Sequence, residues 1–155
     1  MTRPLENRAP SDERPPHDYT AYDTQGRPVA FFEVKRRYDT DANWARAWHQ
    51  LILERLGNQV HAALLLVTPD RLYSWKAGAQ TSEEPKVLQA APFLEPYFER
   101  LKISSTKVDP QVFEEIVGLW LRDVAQHLEP QGNNKVDQEL LSLLRGRDVI
   151  SESGA

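Results

Sequence analysis

Two acidic residues and one lysine stand at spacings that would let them act together: Asp18, Glu33 and Lys35. Glu33 and Lys35 are two apart in the run PVAFFEVK at 28–35. That run is rich in aromatic and β-branched residues and reads as a strand. Alternation then puts both side chains on one face of it. Upstream, YTAY at 19–22 is strand-like, and Asp23-Thr24-Gln25-Gly26 has Asp first and Gly last, as a type I turn prefers. A hairpin over 18–35 would return Asp18 to the level of Glu33 and Lys35. Two carboxylates in reach of each other repel unless a cation lies between them. Magnesium suits such a pair, because it takes oxygen ligands and keeps several of its waters. A bound metal acidifies water and offsets charge developing on a phosphate. A neighbouring ammonium can hold the attacking water or the phosphoryl oxygens. Those are the parts of a phosphodiester hydrolase. Asp23 is the rival acid, and its place at the first turn position accounts for it structurally.

The elements that must position these groups follow along the chain. Residues 43–56 predict a helix, with Asp39, Thr40 or Asp41 to cap its start and Gly57 to end it. Trp44, Ala47, Trp48, Leu51 and Leu53 form its apolar stripe. The run HAALLLVT at 61–68 is continuously apolar, as in a strand buried on both faces. Strand, helix and buried strand make a crossover unit, so 28–35 and 61–68 should be parallel. Residues 71–75 alternate as a further strand, and 77–91 read as a polar loop. Helices are expected over 93–101, from Asp109-Pro110 to about 128, and over 136–144. The middle one carries the stripe Val112, Phe113, Ile116, Leu119, Trp120 and Val124. The fold class is α/β (α+β), with a mixed sheet and a helical C-terminal half. Residues 1–17, with four prolines, read as a flexible leader. Residues 18–148 read as one domain, with a sheet-and-helix core at 18–76 and a helical part at 92–146. Residues 149–155 read as a disordered tail.

Composition bounds the partners. The chain has 155 residues, 40% hydrophobic and 27% charged, which suits one soluble globular domain. It has no cysteine, so disulfides and thiolate metal sites are excluded, and a cytoplasmic location is expected. No apolar run reaches membrane-spanning length, and the N-terminal residues lack the apolar core of a secretory signal. The net charge of −4 argues against a broad phosphate-binding surface. It leaves room for a local basic patch, and Lys35-Arg36-Arg37 is one. Arg36 and Arg37 either meet nucleic-acid phosphates or cap the strand end in solvent.

The segment HDYTAYDTQGRPVAFFEVKRR resembles the core of the PD-(D/E)XK nuclease superfamily. It is most similar to the N-terminal nuclease domain of type I restriction motor subunits. The resemblance covers about residues 18–75, with His17 standing where the family usually has proline. It implies a restriction-endonuclease-like fold and a metal-dependent deoxyribonuclease acting in restriction, defence or repair. It implies that Asp18 and Glu33 bind Mg²⁺, with the Val34 backbone carbonyl as a further ligand and Mn²⁺ able to substitute. Lys35 is then the catalytic lysine, and Gln50 on the following helix assists catalysis. DNA is the implied partner, with a homodimer or a larger complex that supplies a motor or targeting subunit as further expectations.

A second reading stays open, in which the chain is a catalytically inactive binding or assembly module on a nuclease-derived fold. The acidic charge and the proline-broken leader favour it. Trp44 and Trp48, one helical turn apart, read as core residues before they read as base-stacking ones. His49 and His61 read as isolated residues and not as ligands.

Overall fold

The computed structural model describes residues 18–56, 61–81, 83–126 and 138–152. The expected leader at 1–17 lies outside them. The hairpin forms as β1 (Tyr19–Tyr22) and β2 (Pro28–Val34), paired antiparallel. Asp23 builds its turn: one carboxylate oxygen accepts from the amides of Gln25 and Arg27, both at 2.9 Å. Gly26 supplies the left-handed residue, at φ 77°. Asp23 is thereby committed to the turn, and Asp18 is the acid that the hairpin carries back toward Glu33.

The crossover helix α1 (Ala42–Leu56) starts at Asp41, whose side chain accepts from the Trp44 amide at 2.9 Å. It leads into β3 (Ala63–Val67), which pairs parallel with β2. β4 (Arg71–Trp75) returns antiparallel. Past it, residues 77–91 contain a strand in place of the expected loop: β5 (Lys86–Gln89), antiparallel to β4. Its residues are mostly exposed, so backbone pairing rather than an apolar pattern defines it. The chain then forms α2 (Ala91–Leu101), α3 (Pro110–Ala125) and α4 (Gln138–Leu144). It closes on β6 (Asp148–Ser151), antiparallel to β1. The expected disordered tail from 149 is thus corrected over its first residues. Only Val149 of this strand is buried, which leaves no period for sequence to show.

The result is a six-stranded mixed sheet in the order β5-β4-β3-β2-β1-β6, with four helices among the described residues. One face carries Tyr19, Ala21, Phe32, Leu65 and Val67 against α2, α3 and α4. The other carries Leu64, Leu66, Tyr73 and Trp75 against α1. β3 is covered on both sides, which is why its five residues are all apolar and all buried. On α1, Trp44, Trp48 and Leu53 of the expected stripe pack against the cluster of Leu64, Leu66, Tyr73 and Trp75, but the fully buried positions are Ala45, His49 and Ile52, and Ala47 and Leu51 are exposed. Leu119, expected in the α3 stripe, also faces solvent. On α3, Gly118 answers a packing demand. A Cβ there would stand 2.4 Å from the Tyr19 hydroxyl. Its absence lets that hydroxyl donate to the Glu114 carbonyl at 2.8 Å. Among the described residues no helix is long and apolar enough to cross a membrane.

Candidate functional site

Pairing of Tyr19 with Phe32 and Thr20 with Phe31 fixes the level of the acidic residues. One residue before Tyr19, Asp18 falls beside Glu33. Its amide donates to the Phe32 carbonyl at 2.9 Å, and its carboxylate Oδ2 accepts from the Val34 amide at 2.7 Å. Asp18 therefore brackets Glu33, bonding to the residue on either side of it. From the other side β6 holds Asp18, through the Glu152 amide on its carbonyl at 2.8 Å. Asp18 is only 6% exposed.

Glu33 lies on the α1 face with Phe31, since its partner in β3 is Leu66. Lys35 is on the same face, and its Nζ lies 3.1 Å from Glu33 Oε1. The glutamate side chain is 12% exposed and the lysine 47%, so the pair runs from the interior to the surface. The Lys35 amide donates to Val67 on β3, whereas the Val34 amide points to β1. In an extended strand the carbonyl follows its own amide, so the Val34 carbonyl also faces the Asp18 side. Two carboxylates and a carbonyl, all hard oxygens, fit a magnesium ion that keeps some of its waters. Tyr19, next to Asp18, has its phenol pushed up to about 12, by burial first and by Glu114 second. It remains a protonated donor.

Beyond Lys35 the basic segment is tied down at several points. The Arg37 amide donates to the Lys35 carbonyl at 2.9 Å, which turns the chain out of the strand. The Tyr38 hydroxyl donates to the Ser105 carbonyl at 2.8 Å. Asp39 takes the left-handed conformation at φ 55°, which aspartate tolerates better than most residues. Thr40 Oγ1 shares a hydrogen bond of 2.8 Å with the buried Tyr73 hydroxyl, and Arg71 donates to the Thr40 carbonyl. Arg36 and Arg37 are exposed on this anchored segment. Their guanidinium carbons lie 6.0 Å over the Tyr38 ring and 5.7 Å over the Trp44 ring.

The geometry thus gathers Asp18, Glu33, Val34 and Lys35 at the carboxyl end of the parallel pair, with Arg36 and Arg37 next to them. Gln50 is not among them. It is exposed on the outer side of α1, with Nε2 3.5 Å from Glu54 Oε1. Five residues on from the buried Ala45 is about 140° around a helix, which turns Gln50 away from the sheet. Among the described residues no group of three or more His, Cys, Asp or Glu side chains is placed to hold a metal. Sequence reasoning missed the Thr40–Tyr73–Arg71 anchor and the Glu152 contact, and no local pattern signals either. His49, read from sequence as an isolated residue, is instead buried flat against Trp75, with ring centroids 4.3 Å apart. Its place at helical spacing between Ala45 and Ile52 is the signal that could have found it.

No protein-family model matches the chain, and neither a curated protein nor a solved structure matches it.

Proposed function

We propose that the chain is a metal-dependent deoxyribonuclease of the PD-(D/E)XK type on a restriction-endonuclease-like fold. The observation that carries this reading is the bracketing of Glu33 by Asp18 across the hairpin, with Lys35 paired to Glu33. Asp18, Glu33 and the Val34 carbonyl would hold Mg²⁺, which supplies an acidified water and neutralises phosphate charge when bound. Lys35 would donate to the attacking water or to a phosphoryl oxygen. Arg36 and Arg37, exposed on the anchored segment, would meet neighbouring phosphates and set the register of the strand. Gln50 has no role in this arrangement. The test is cleavage of duplex and single-stranded DNA with Mg²⁺ or Mn²⁺. Cutting is expected from the parent chain and is lost in Glu33→Ala; cutting that persists in that variant would falsify the assignment.

One observation favours the second reading, a binding module with a relic site. Glu33 already has Lys35 as a counter-ion, and the Asp18 carboxylate already accepts from the Val34 amide. Both acids are thus supported by the protein itself. Calorimetric titration with Mn²⁺ separates the two readings. Heat that vanishes in Asp18→Asn supports the nuclease, and no heat from the parent chain supports the module.

A further inference from the structure

At the other end of the sheet a cavity of about 420 Å³ opens between the second half of α1, the start of β3 and the turn after β4. It is offset from the acidic pair along β3. Ala62 and Leu64 border it at the amino end of β3, whereas Glu33 lies beside Leu66 near the carboxyl end. Its volume is that of a small-molecule site.

Three features give the cavity a chemical character. Leu53, Ala62, Leu64 and Ala79 supply an apolar wall. His49 lines it from below, 1% exposed and stacked on Trp75 at an interplanar angle of 10°. The His49 Nδ1 is buried and has no hydrogen-bond partner among the described residues, which is costly for an imidazole in a packed interior. The Trp75 indole donates to the Glu83 carbonyl at 3.2 Å, so the ring beneath His49 is fixed. At the rim stands Lys76, exposed and without an ion-pair partner among the described residues. Burial lowers the His49 pKa, with Glu83 opposing it, so the ring enters the cavity neutral. The acid on the lining, Glu54, faces Gln50 through its Oε1.

We propose that this cavity binds a small organic monocarboxylate with a flat apolar body. The body lies on the Leu53 and Leu64 wall over the His49 ring, and the carboxylate meets the Lys76 ammonium at the rim. One ammonium matches one negative charge. A phosphate dianion would leave charge uncompensated beside Glu54 and would gain nothing from the apolar wall. The site is independent of the nuclease reading, since none of its residues belongs to that centre.

Benzoate is the probe, titrated into the full chain while the His49 and Trp75 ring signals are followed by NMR. The expected result is a saturable shift of both rings with a Kd on the order of 1 mM. Lys76→Gln, at an exposed position that leaves the fold intact, should weaken binding about tenfold. Ala79→Phe, which fills the cavity, should abolish it. Inorganic phosphate at equal concentration should not displace benzoate. The proposal is overturned by the absence of a saturable shift up to about 20 mM, by unchanged affinity in Lys76→Gln, or by equal competition from phosphate.

Discussion

The Asp18 carboxylate accepts a hydrogen bond from the Val34 amide at 2.7 Å, so one side chain both closes the hairpin and supplies charge. The two roles separate by substitution. An asparagine keeps an oxygen that can accept from Val34, whereas alanine leaves a part-buried amide unmet. Asp18→Ala should lose about 1–3 kcal/mol of stability and Asp18→Asn less than about 1 kcal/mol. Both should lose metal-dependent cleavage. Urea unfolding beside a DNA cleavage assay measures each role, and an active Asp18→Asn protein removes Asp18 from the metal site.

Lys35 gives the opposite balance. Its ammonium lies 3.1 Å from Glu33 but the side chain is 47% exposed, so solvent screens the pair. Lys35→Gln should change stability by less than about 1 kcal/mol. If the ammonium holds the attacking water or the phosphoryl oxygens, the same variant should cut about 100-fold or more slowly. Single-turnover rates at saturating Mg²⁺ read this directly. A rate within a few-fold of the parent chain assigns Lys35 to surface pairing alone.

The strands and helices with an apolar period were legible in sequence. β2, α1 and β3 stand where the aromatic run, the capped helix and the unbroken apolar stretch predict them, and the parallel pairing follows from the crossover. β5 and β6 escaped, because an edge strand of four residues with little burial is defined by its neighbour's backbone and not by its own side chains. The candidate site was readable where it depends on register, since alternation and hairpin length place Asp18, Glu33 and Lys35. It was not readable where it depends on helix rotation. Counting to Gln50 cannot say that Ala45, His49 and Ile52 are the most deeply buried positions of α1, with Trp44 and Trp48 packed beside them.

Gly118 and Tyr19 make a steric test of how β1 is seated. An added Cβ at 118 would meet the Tyr19 hydroxyl at 2.4 Å and its ring carbon Cζ at 2.7 Å, and the ring is almost fully buried. Alanine ordinarily gains up to about 1 kcal/mol over glycine inside a helix. Here overpacking should win, and Gly118→Ala should destabilise by about 1–3 kcal/mol. Removing the hydroxyl in Tyr19→Phe should restore part of that loss, which a double-mutant cycle in urea measures. Additive effects of the two changes contradict the contact.

His49 should make the fold acid-sensitive before the carboxylates titrate. Desolvation lowers its pKa in the folded chain, with Glu83 raising it in part. In the unfolded chain the imidazole titrates near its ordinary value of about 6.5. Below that pH the unfolded chain therefore binds the extra proton first, so stability rises with pH through the window between the two values. It is fully present above about pH 7, declines as pH falls through about 6.5, and levels off once the folded chain also takes up the proton. The slope for one group stays below about 1.4 kcal/mol per pH unit. His49→Phe keeps a flat ring against Trp75 and removes the titration. Urea unfolding of both proteins between about pH 7.5 and 5.5 should show the parent chain losing stability relative to the variant. Parallel curves over that range assign the acid sensitivity to other groups.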